Sequence, residues 1–423
     1  MKRRYSSHYR WRRAQSIDEL AWMARRRLPA FAWEYVHGGS EDEITLGDNR
    51  RAFAAWGWQP RTLVDVEARD SRTRLLDGPA ELPLAIAPTG YNGMLWRDGD
   101  IALAKAAASR GIPFTLSTVS CASLEQIAAA VPAVRLWFQL YVLDDEAVRN
   151  DMLERAKHAG AEVLMVTTDT VVLGRREWDS RSYLNPRRLA WPYLLDAGLH
   201  PQWAYRALWP QGLPTLGNLM KYLPREQQSA GSAAGYINQR MTRRLTWEVL
   251  ADIRKRWPGK LLIKGILNAE DAREAKRIGA DGVVVTNHGG RQLDGAPATL
   301  DALPEVVDAV GDSMHVLLDS GVRRGSDIAK AVALGAEGVL CGRATLYGLA
   351  LGGEAGAAHA IDLLKDQLHN VMAQLGRPAL DQLDASCLRR SPYASTQGDS
   401  PQRDSSQHPS NALPGGETPG DMP

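Results

Sequence analysis

Cysteine is scarce, with only Cys121, Cys341 and Cys387 in 423 residues. That excludes a disulfide framework and fits a reducing compartment, and none of the three has the paired spacing of a zinc site. No apolar run approaches the roughly 18 residues of a membrane-spanning helix, and the N-terminus lacks a signal-peptide apolar stretch. An intracellular protein is expected, soluble or bound to a membrane from one side. Excess charge of one sign is also missing. The formal net charge is +2, which gives no global field toward nucleic acid. Phenylalanine falls to 4 residues while tryptophan reaches 13, so where the tryptophans sit bears on function.

What is present is ordinary globular composition, 44% apolar and 24% charged, on a chain long enough to bury a large core. Both ends stand apart. Residues 1–15 carry Lys2, Arg3, Arg4, Arg10, Arg12 and Arg13 with no acid and read as a flexible basic arm, suited to an anionic lipid surface. Residues 391–423 are rich in Pro, Ser and Gly and are expected to be disordered, because they bury too little to offset their ordering entropy. The folded body is about 16–390.

Eight short apolar runs bounded by turn residues read as buried parallel strands: 82–88, 113–117, 135–142, 163–169, 261–266, 282–287, 315–320 and 338–343. Helical patterns such as 100–111 and 326–336 lie between them, with glycine as the stop. One long gap follows the fourth run. Eight βα units predict a (β/α)8 TIM barrel with an N-terminal helical segment and a large insertion after strand 4, about 177–240. No GxGxxG follows the first run, which argues against a doubly wound sheet.

Barrels place chemistry at the C-terminal ends of their strands. Those ends are Pro88-Thr89-Gly90, Ser117, Gln139 and Tyr141, Thr167 and Asp169, then Lys264, Asn287-His288-Gly289-Gly290-Arg291, Asp319 and Gly342-Arg343. Core packing does not require such a polar ring. Of nine histidines, only His288 lies just past a strand end in a Gly-rich turn, and imidazole suits general-base work near neutral pH. The others fall in tails, on helices, in the insertion or at the opposite barrel end. The turns DSGVRRGSD (319–327) and GRATLYG (342–348) bring glycine amides, Arg323 and Arg343 to the tops of strands 7 and 8, where barrels commonly hold a phosphate.

The segments TNHGGRQLDGAPATLDALPEV (286–306) and LDSGVRRGSDIAKAVALGAEGVLCGR (318–343) resemble the FMN-dependent L-2-hydroxy acid oxidase and dehydrogenase family. WFQLYV (137–142), TTDTVVLGRRE (167–177) and LPAFAWEYVHGGSEDE (28–43) extend the resemblance across about 16–390. PTGYNGMLW (88–96), LLDAGLHPQW (194–203) and GRATLYGLA (342–350) lean toward its mandelate-oxidising members, with lactate-oxidising members as near neighbours. The resemblance implies FMN as cofactor and no metal. It implies His288 as the base, Asp169 as partner of the imidazolium, and Arg176 and Arg291 on the substrate carboxylate with Tyr35. Tyr141 would bond the substrate hydroxyl or carboxylate. Lys264 would lie at the flavin N1–C2=O edge, Pro88, Thr89 and Gly90 at the N5 side, and Ser117, Gln139 and Thr167 on the pyrimidine. Thr286 would also line the flavin, Asp319 and Ser320 the ribityl chain, and Gly321, Arg323, Gly342 and Arg343 the phosphate.

Three positions depart from common family patterns. Thr286 replaces a serine and keeps its hydroxyl. Val119 stands where glycolate oxidases carry Trp and leaves room for an aromatic substituent. Gly90 stands where oxidases carry Ala and fits a dehydrogenase that passes electrons to a quinone. The expected reaction is therefore oxidation of an L-2-hydroxy acid, foremost (S)-mandelate to benzoylformate. Lactate oxidation, or a peroxide-producing oxidase, is the alternative. The insertion interleaves Trp178, Trp191, Trp203 and Trp209 with Arg181, Arg187, Arg188 and Arg206. This mixture predicts peripheral membrane contact, with a lid over the active site as the other reading. The cytoplasmic face of the cell membrane, a quinone or other membrane acceptor and a homotetramer complete the expectation.

Overall fold

The computed structural model describes residues 10–185, 188–210, 212–223 and 239–390. Eight parallel strands close into a barrel: β1 (Leu84–Thr89), β2 (Phe114–Ser117), β3 (Leu136–Leu140), β4 (Val163–Thr167), β5 (Lys260–Ile266), β6 (Gly282–Val285), β7 (His315–Leu318) and β8 (Gly338–Cys341). Each pairs with its sequence neighbour, and β8 returns to β1. The (β/α)8 fold is thus as the eight runs predict.

The crossover helices form where the sequence satisfies their first amides. Asp145 accepts from Ala147 and Val148 to start helix Glu146–His158, and Asn268 accepts from Asp271 to start helix Ala269–Arg277. A Ser123–Gln126 capping box opens helix Leu124–Ala130. Period-two alternation then divides each strand into two faces. Ala85, Trp137, Met165, Leu262, Val284, Leu317 and Leu340 form the barrel interior, while Phe138, Leu164, Ile263, Val283 and Leu318 face the helices.

The N-terminal end of the barrel is plugged. A hairpin, Thr73–Leu75 paired with Gly78–Ala80, packs Leu75, Leu76 and Ala80 against the interior cluster. Asp77 pairs with Lys260 at 2.6 Å and with His315 at 3.5 Å, which locks the hairpin to β5 and β7.

Helices α1 (Ile17–Arg27), α2 (Ala30–His37) and α3 (Ile44–Ala54) run ahead of the barrel. Residues 10–15 correct the expectation of a flexible arm. Trp11–Arg13 form a 3-10 turn, Trp11 lies against Gly352, and Ala14 is fully buried with its carbonyl bonded by His359. An indole and an alanine spaced three apart provide apolar surface that the arginine count hides. Residues 1–9 and the tail 391–423 lie outside the described residues.

The insertion folds as an antiparallel pair, Tyr183–Asn185 with Arg188–Leu189, followed by helices Trp191–Gly198 and Pro201–Ala207. It is tied down at several points. Asp196 accepts the amide of Ala30 at 2.6 Å, capping α2, and buried Asn218 bonds the carbonyl of Ser117 and the amide of Leu124. Trp203, counted in the expected membrane patch, is instead buried, packed edge-on to Phe31 with its indole N–H on the Met94 carbonyl at 2.8 Å. Trp191, Leu195, Leu199 and Trp209 are exposed by 61–79%. Among the described residues no helix is long and apolar enough to cross a membrane.

Candidate active site

Two residues beyond the interior apolar layer, the same strand faces turn polar. Gln139, Thr167, Lys264, Thr286 and Asp319 follow Trp137, Met165, Leu262, Val284 and Leu317 at spacing two, so they close the top of the barrel core. Their partners are one another. The Ser117 hydroxyl donates to Gln139 Oε1 at 2.9 Å, and Gln139 Nε2 donates to Thr167 Oγ1 at 2.9 Å. Lys264 is 3% exposed and pairs with Asp319 at 3.1 Å, with the Thr286 hydroxyl bonded to both. Such a partner offsets the cost of burying an ammonium.

His288 opens a left-handed turn, with φ of 58°, 70° and 72° at His288, Gly289 and Gly290. The non-glycine member of this run costs energy and needs anchors. Thr286 Oγ1 accepts the His288 amide at 3.0 Å, Ser320 Oγ accepts the Gly289 amide at 2.9 Å, and Asn287 exchanges reciprocal 2.8 Å bonds with Asn49 of α3. The imidazole Nδ1 lies 2.8 Å from Asp169 Oδ1, and Thr170 donates to the same oxygen. A proton on Nδ1 satisfies that contact and leaves the Nε2 lone pair free, 3.4 Å from the Tyr141 hydroxyl. Burial pushes the imidazole below its ordinary range; Asp169 opposes that and Lys264 adds to it. The Asp169 carboxyl is pushed up by burial, yet His288 and Lys264 hold it below the usual value. A neutral base beside a carboxylate results.

Asp169 owes its place to a bulge in β5. Gly265 has φ of 125°, and a Cβ there would fall 2.6 Å from Thr168 Oγ1 and 2.9 Å from the Asp169 amide. The bulge turns the Lys264 carbonyl onto Thr168 at 2.8 Å. Gln292 pins the following loop, donating to the Asp169 and Val172 carbonyls and accepting the Gly174 amide.

Above His288 sit two arginines. Among the described residues Arg291 bonds only main-chain carbonyls, Tyr35 at 2.7 Å and Gly38 at 3.1 Å, and its pKa is pushed down to about 9, by burial first and then by Arg176 and Arg343. Among the described residues the Arg176 side chain has only a loose 3.9 Å ion pair with Asp179. Two close cations short of counter-charge make a site for an anion. The Tyr35 ring lies under Arg291 at 5.4 Å, and its hydroxyl bonds the Gly90 carbonyl at 3.2 Å. Tyr91 meets Tyr35 edge-on at 6.1 Å.

Val119 and Gly90 are complementary: a Cβ on Gly90 would lie 2.5 Å from Val119 Cγ2. Gly90→Ala is therefore expected to displace Val119 into the site and raise KM for a bulky substrate severalfold. Adding Val119→Ala should recover most of the loss. Steady-state kinetics of the three variants checks this; independent, additive losses would show that the contact is not what matters.

At the tops of β7 and β8, Ser320 and Gly321 have positive φ, and a Cβ on Gly321 would strike the Asn49 carbonyl at 2.5 Å. Asp327 accepts the amides of Arg323 and Arg324 to start helix Gly325–Ala333. Gly342 caps helix Arg343–Leu375, which bends at Gly353. Arg343 reaches the carbonyls of Val36, Gly38 and Gly289 at 2.8–2.9 Å. Burial foremost, with Arg323 adding to it, pushes its pKa down to about 10.

This donor set suits FMN. The Thr89 hydroxyl is buried with no partner at the end of β1, an orphan that a polar ring atom would satisfy. A buried cation, amide-like groups and a twin-arginine pole match an isoalloxazine, its N1 edge and a phosphate. Every residue expected to act gathers at this one barrel end. Gln292, Asn49 and the Gly265 bulge were not anticipated, because each acts through hydrogen bonds between segments far apart in sequence; Thr170, beside Asp169, was not singled out.

The profile of the FMN-dependent dehydrogenases matches residues 24–390. (S)-Mandelate dehydrogenase of Pseudomonas putida is 41% identical over 382 residues, 90% of this chain and 95% of that protein. L-Lactate dehydrogenase of Chromohalobacter salexigens is 42% identical over 369 residues, 86% and 93% of the two chains. The crystal structure of (S)-mandelate dehydrogenase, described as a monotopic membrane protein, superposes with TM-score 0.85 at 41% identity, covering 90% of this chain and all of that one. Family profile, full-length relatives and barrel architecture coincide: the chain belongs to the FMN-dependent dehydrogenase family, and it is an FMN-dependent 2-hydroxy acid dehydrogenase.

Proposed function

We propose that the enzyme oxidises (S)-mandelate to benzoylformate and delivers the electrons to a membrane quinone. The observation that carries this reading is the His288–Asp169 pair, a neutral base beside a carboxylate, facing two arginines with little counter-charge. Arg291 and Arg176 hold the substrate carboxylate, a task for planar cations in a desolvated place, and Tyr35 adds its hydroxyl. Tyr141 bonds the substrate hydroxyl or carboxylate. His288 Nε2 then takes a proton, and Asp169 stabilises the imidazolium that results. Gly90, Val119 and the Tyr35–Tyr91 corner leave a wall suited to an aromatic ring, which favours mandelate over lactate. FMN, when bound, supplies the two-electron acceptor. Lys264 would face its N1–C2=O edge, Pro88, Thr89 and Gly90 its N5 side, and Ser117, Gln139, Thr167 and Thr286 would hold the ring. Asp319 and Ser320 would hold the ribityl chain, and Gly321, Arg323, Gly342 and Arg343 the phosphate.

The visible spectrum of purified protein under anaerobic titration tests this. Flavin bands should bleach with (S)-mandelate and far more slowly with lactate or glycolate. Bleaching with lactate alone would overturn the substrate.

Exposed Trp191, Leu195, Leu199 and Trp209 support attachment through the insertion, one leaflet deep. The enzyme then sits, as a homotetramer, on the cytoplasmic face of the membrane, where acid and acceptor meet. Leu195→Asp with Leu199→Asp should move the protein from the pelleted membrane into the supernatant with kcat toward a soluble dye unchanged. Wild-type protein already in the supernatant at low salt would remove the membrane from the reading.

A further inference from the structure

His37 is a histidine that the chemistry above does not use, with one edge open to solvent and its Nδ1 turned inward. It ends α2, whose last carbonyls have no partners within the helix. Arginines take them: Arg343 bonds Val36 and Gly38, the two neighbours of His37, and Arg291 bonds Tyr35 and again Gly38. Cations belong at this end of a helix dipole.

The side chain of His37 makes a third tie to the same helix that carries Arg343. Its Nδ1 lies 2.9 Å from the Tyr347 hydroxyl. Tyr347 is 1% exposed and stands four residues after Arg343, on the same face of that helix. Trp33 stacks on the imidazole at 4.4 Å and 19°, and on Tyr347 at 5.8 Å. Arg323 lies over the Tyr347 ring at 5.8 Å. Desolvation by the surrounding rings first, then Arg343 and Arg323, push His37 below its ordinary value, which favours the neutral ring beside the two arginines.

We propose that His37 is a positioning residue of the phosphate clamp, acting through Tyr347 and the carbonyls beside it to hold Arg343 and Arg323 ready for the phosphate of FMN. This rests on the reading of those two arginines as the phosphate site. The two cations repel each other in a buried place, and without a brace they would spread apart. The His37–Tyr347 bond supplies the brace before the ligand arrives, which lowers the ordering cost of binding.

The test compares flavins with and without the phosphate. Apoprotein of wild type, His37→Phe, Tyr347→Phe and the double variant is titrated with FMN and with riboflavin, following flavin fluorescence. Phenylalanine at position 37 keeps the stack on Trp33 and removes the bond. Each single variant should bind FMN about threefold to tenfold more weakly, the size of one partly buried hydrogen bond, and the double variant no more weakly than either single one. Riboflavin affinity should not change, and His37→Gln, which can still reach Tyr347, should bind FMN like wild type. Equal weakening of FMN and riboflavin, or unchanged FMN binding, overturns the proposal. Wild-type protein that binds riboflavin as tightly as FMN would instead overturn the phosphate site itself, and the brace with it.

Discussion

His288→Gln is expected to leave a yellow protein whose reduction by the 2-hydroxy acid is slowed on the order of 10³-fold, the scale of a lost general base. Glutamine keeps the volume and a donor toward Asp169, so the flavin bands persist while anaerobic bleaching in a stopped-flow instrument nearly stops. The pH dependence carries the same assignment. The base is active when neutral, and burial together with Lys264 lowers its proton affinity against the opposing pull of Asp169. The acid limb of kcat/KM should thus lie below the ordinary imidazole value. Asp169→Asn removes the pull that raises it, so the limb moves further toward acid while the rate falls. A limb that stays in place in Asp169→Asn, or unslowed bleaching in His288→Gln, would sink the pairing.

Arg291→Met should lower kcat/KM by about 10²-fold or more, as expected when one buried partner of a carboxylate is removed. Arg291→Lys should recover little. An ammonium cannot bond a carboxylate in two places while also serving the Tyr35 and Gly38 carbonyls, which the guanidinium does from one planar group. Flavin content should be unaffected. Removing Arg291 also relieves its repulsion of Arg176, so the double loss should be less than the product of the single ones. Steady-state kinetics of the two single variants and the double variant decides; multiplicative losses would mean that the two arginines act on different groups.

The barrel and its polar rim were legible because both rest on local order. Eight apolar runs carry their turn residues with them, and strand alternation decides which side chain reaches the top. His288 could be picked out because a strand end, a glycine turn and an imidazole coincide in one short stretch. What escaped depends on distance in sequence. Ala14 and Trp11 look like part of a charged arm until Gly352 and His359 are seen against them. Trp203 resembles its exposed neighbours in composition, and only the Met94 carbonyl and Phe31 draw it inside. Gln292 and Asn49 are unremarkable polar residues in a linear reading, yet each fixes a loop from another part of the chain. Gly265 could have been noticed as a glycine inside a strand, a frequent sign of a bulge.

The hairpin around Asp77 seals one end of the barrel, where Leu75, Leu76 and Ala80 fill the cross-section beneath Trp137. Among the described residues that end offers no axial passage, and the opposite rim is the doorway to the reactive centre along the barrel axis. Fuel and oxidant that share this doorway are expected to take turns, the oxidised acid leaving before an electron acceptor comes within reach. Alternating occupancy of one entrance is the architectural basis of substituted-enzyme kinetics, in which double-reciprocal plots at different acceptor concentrations run parallel and each partner competes with the other for the vacant door.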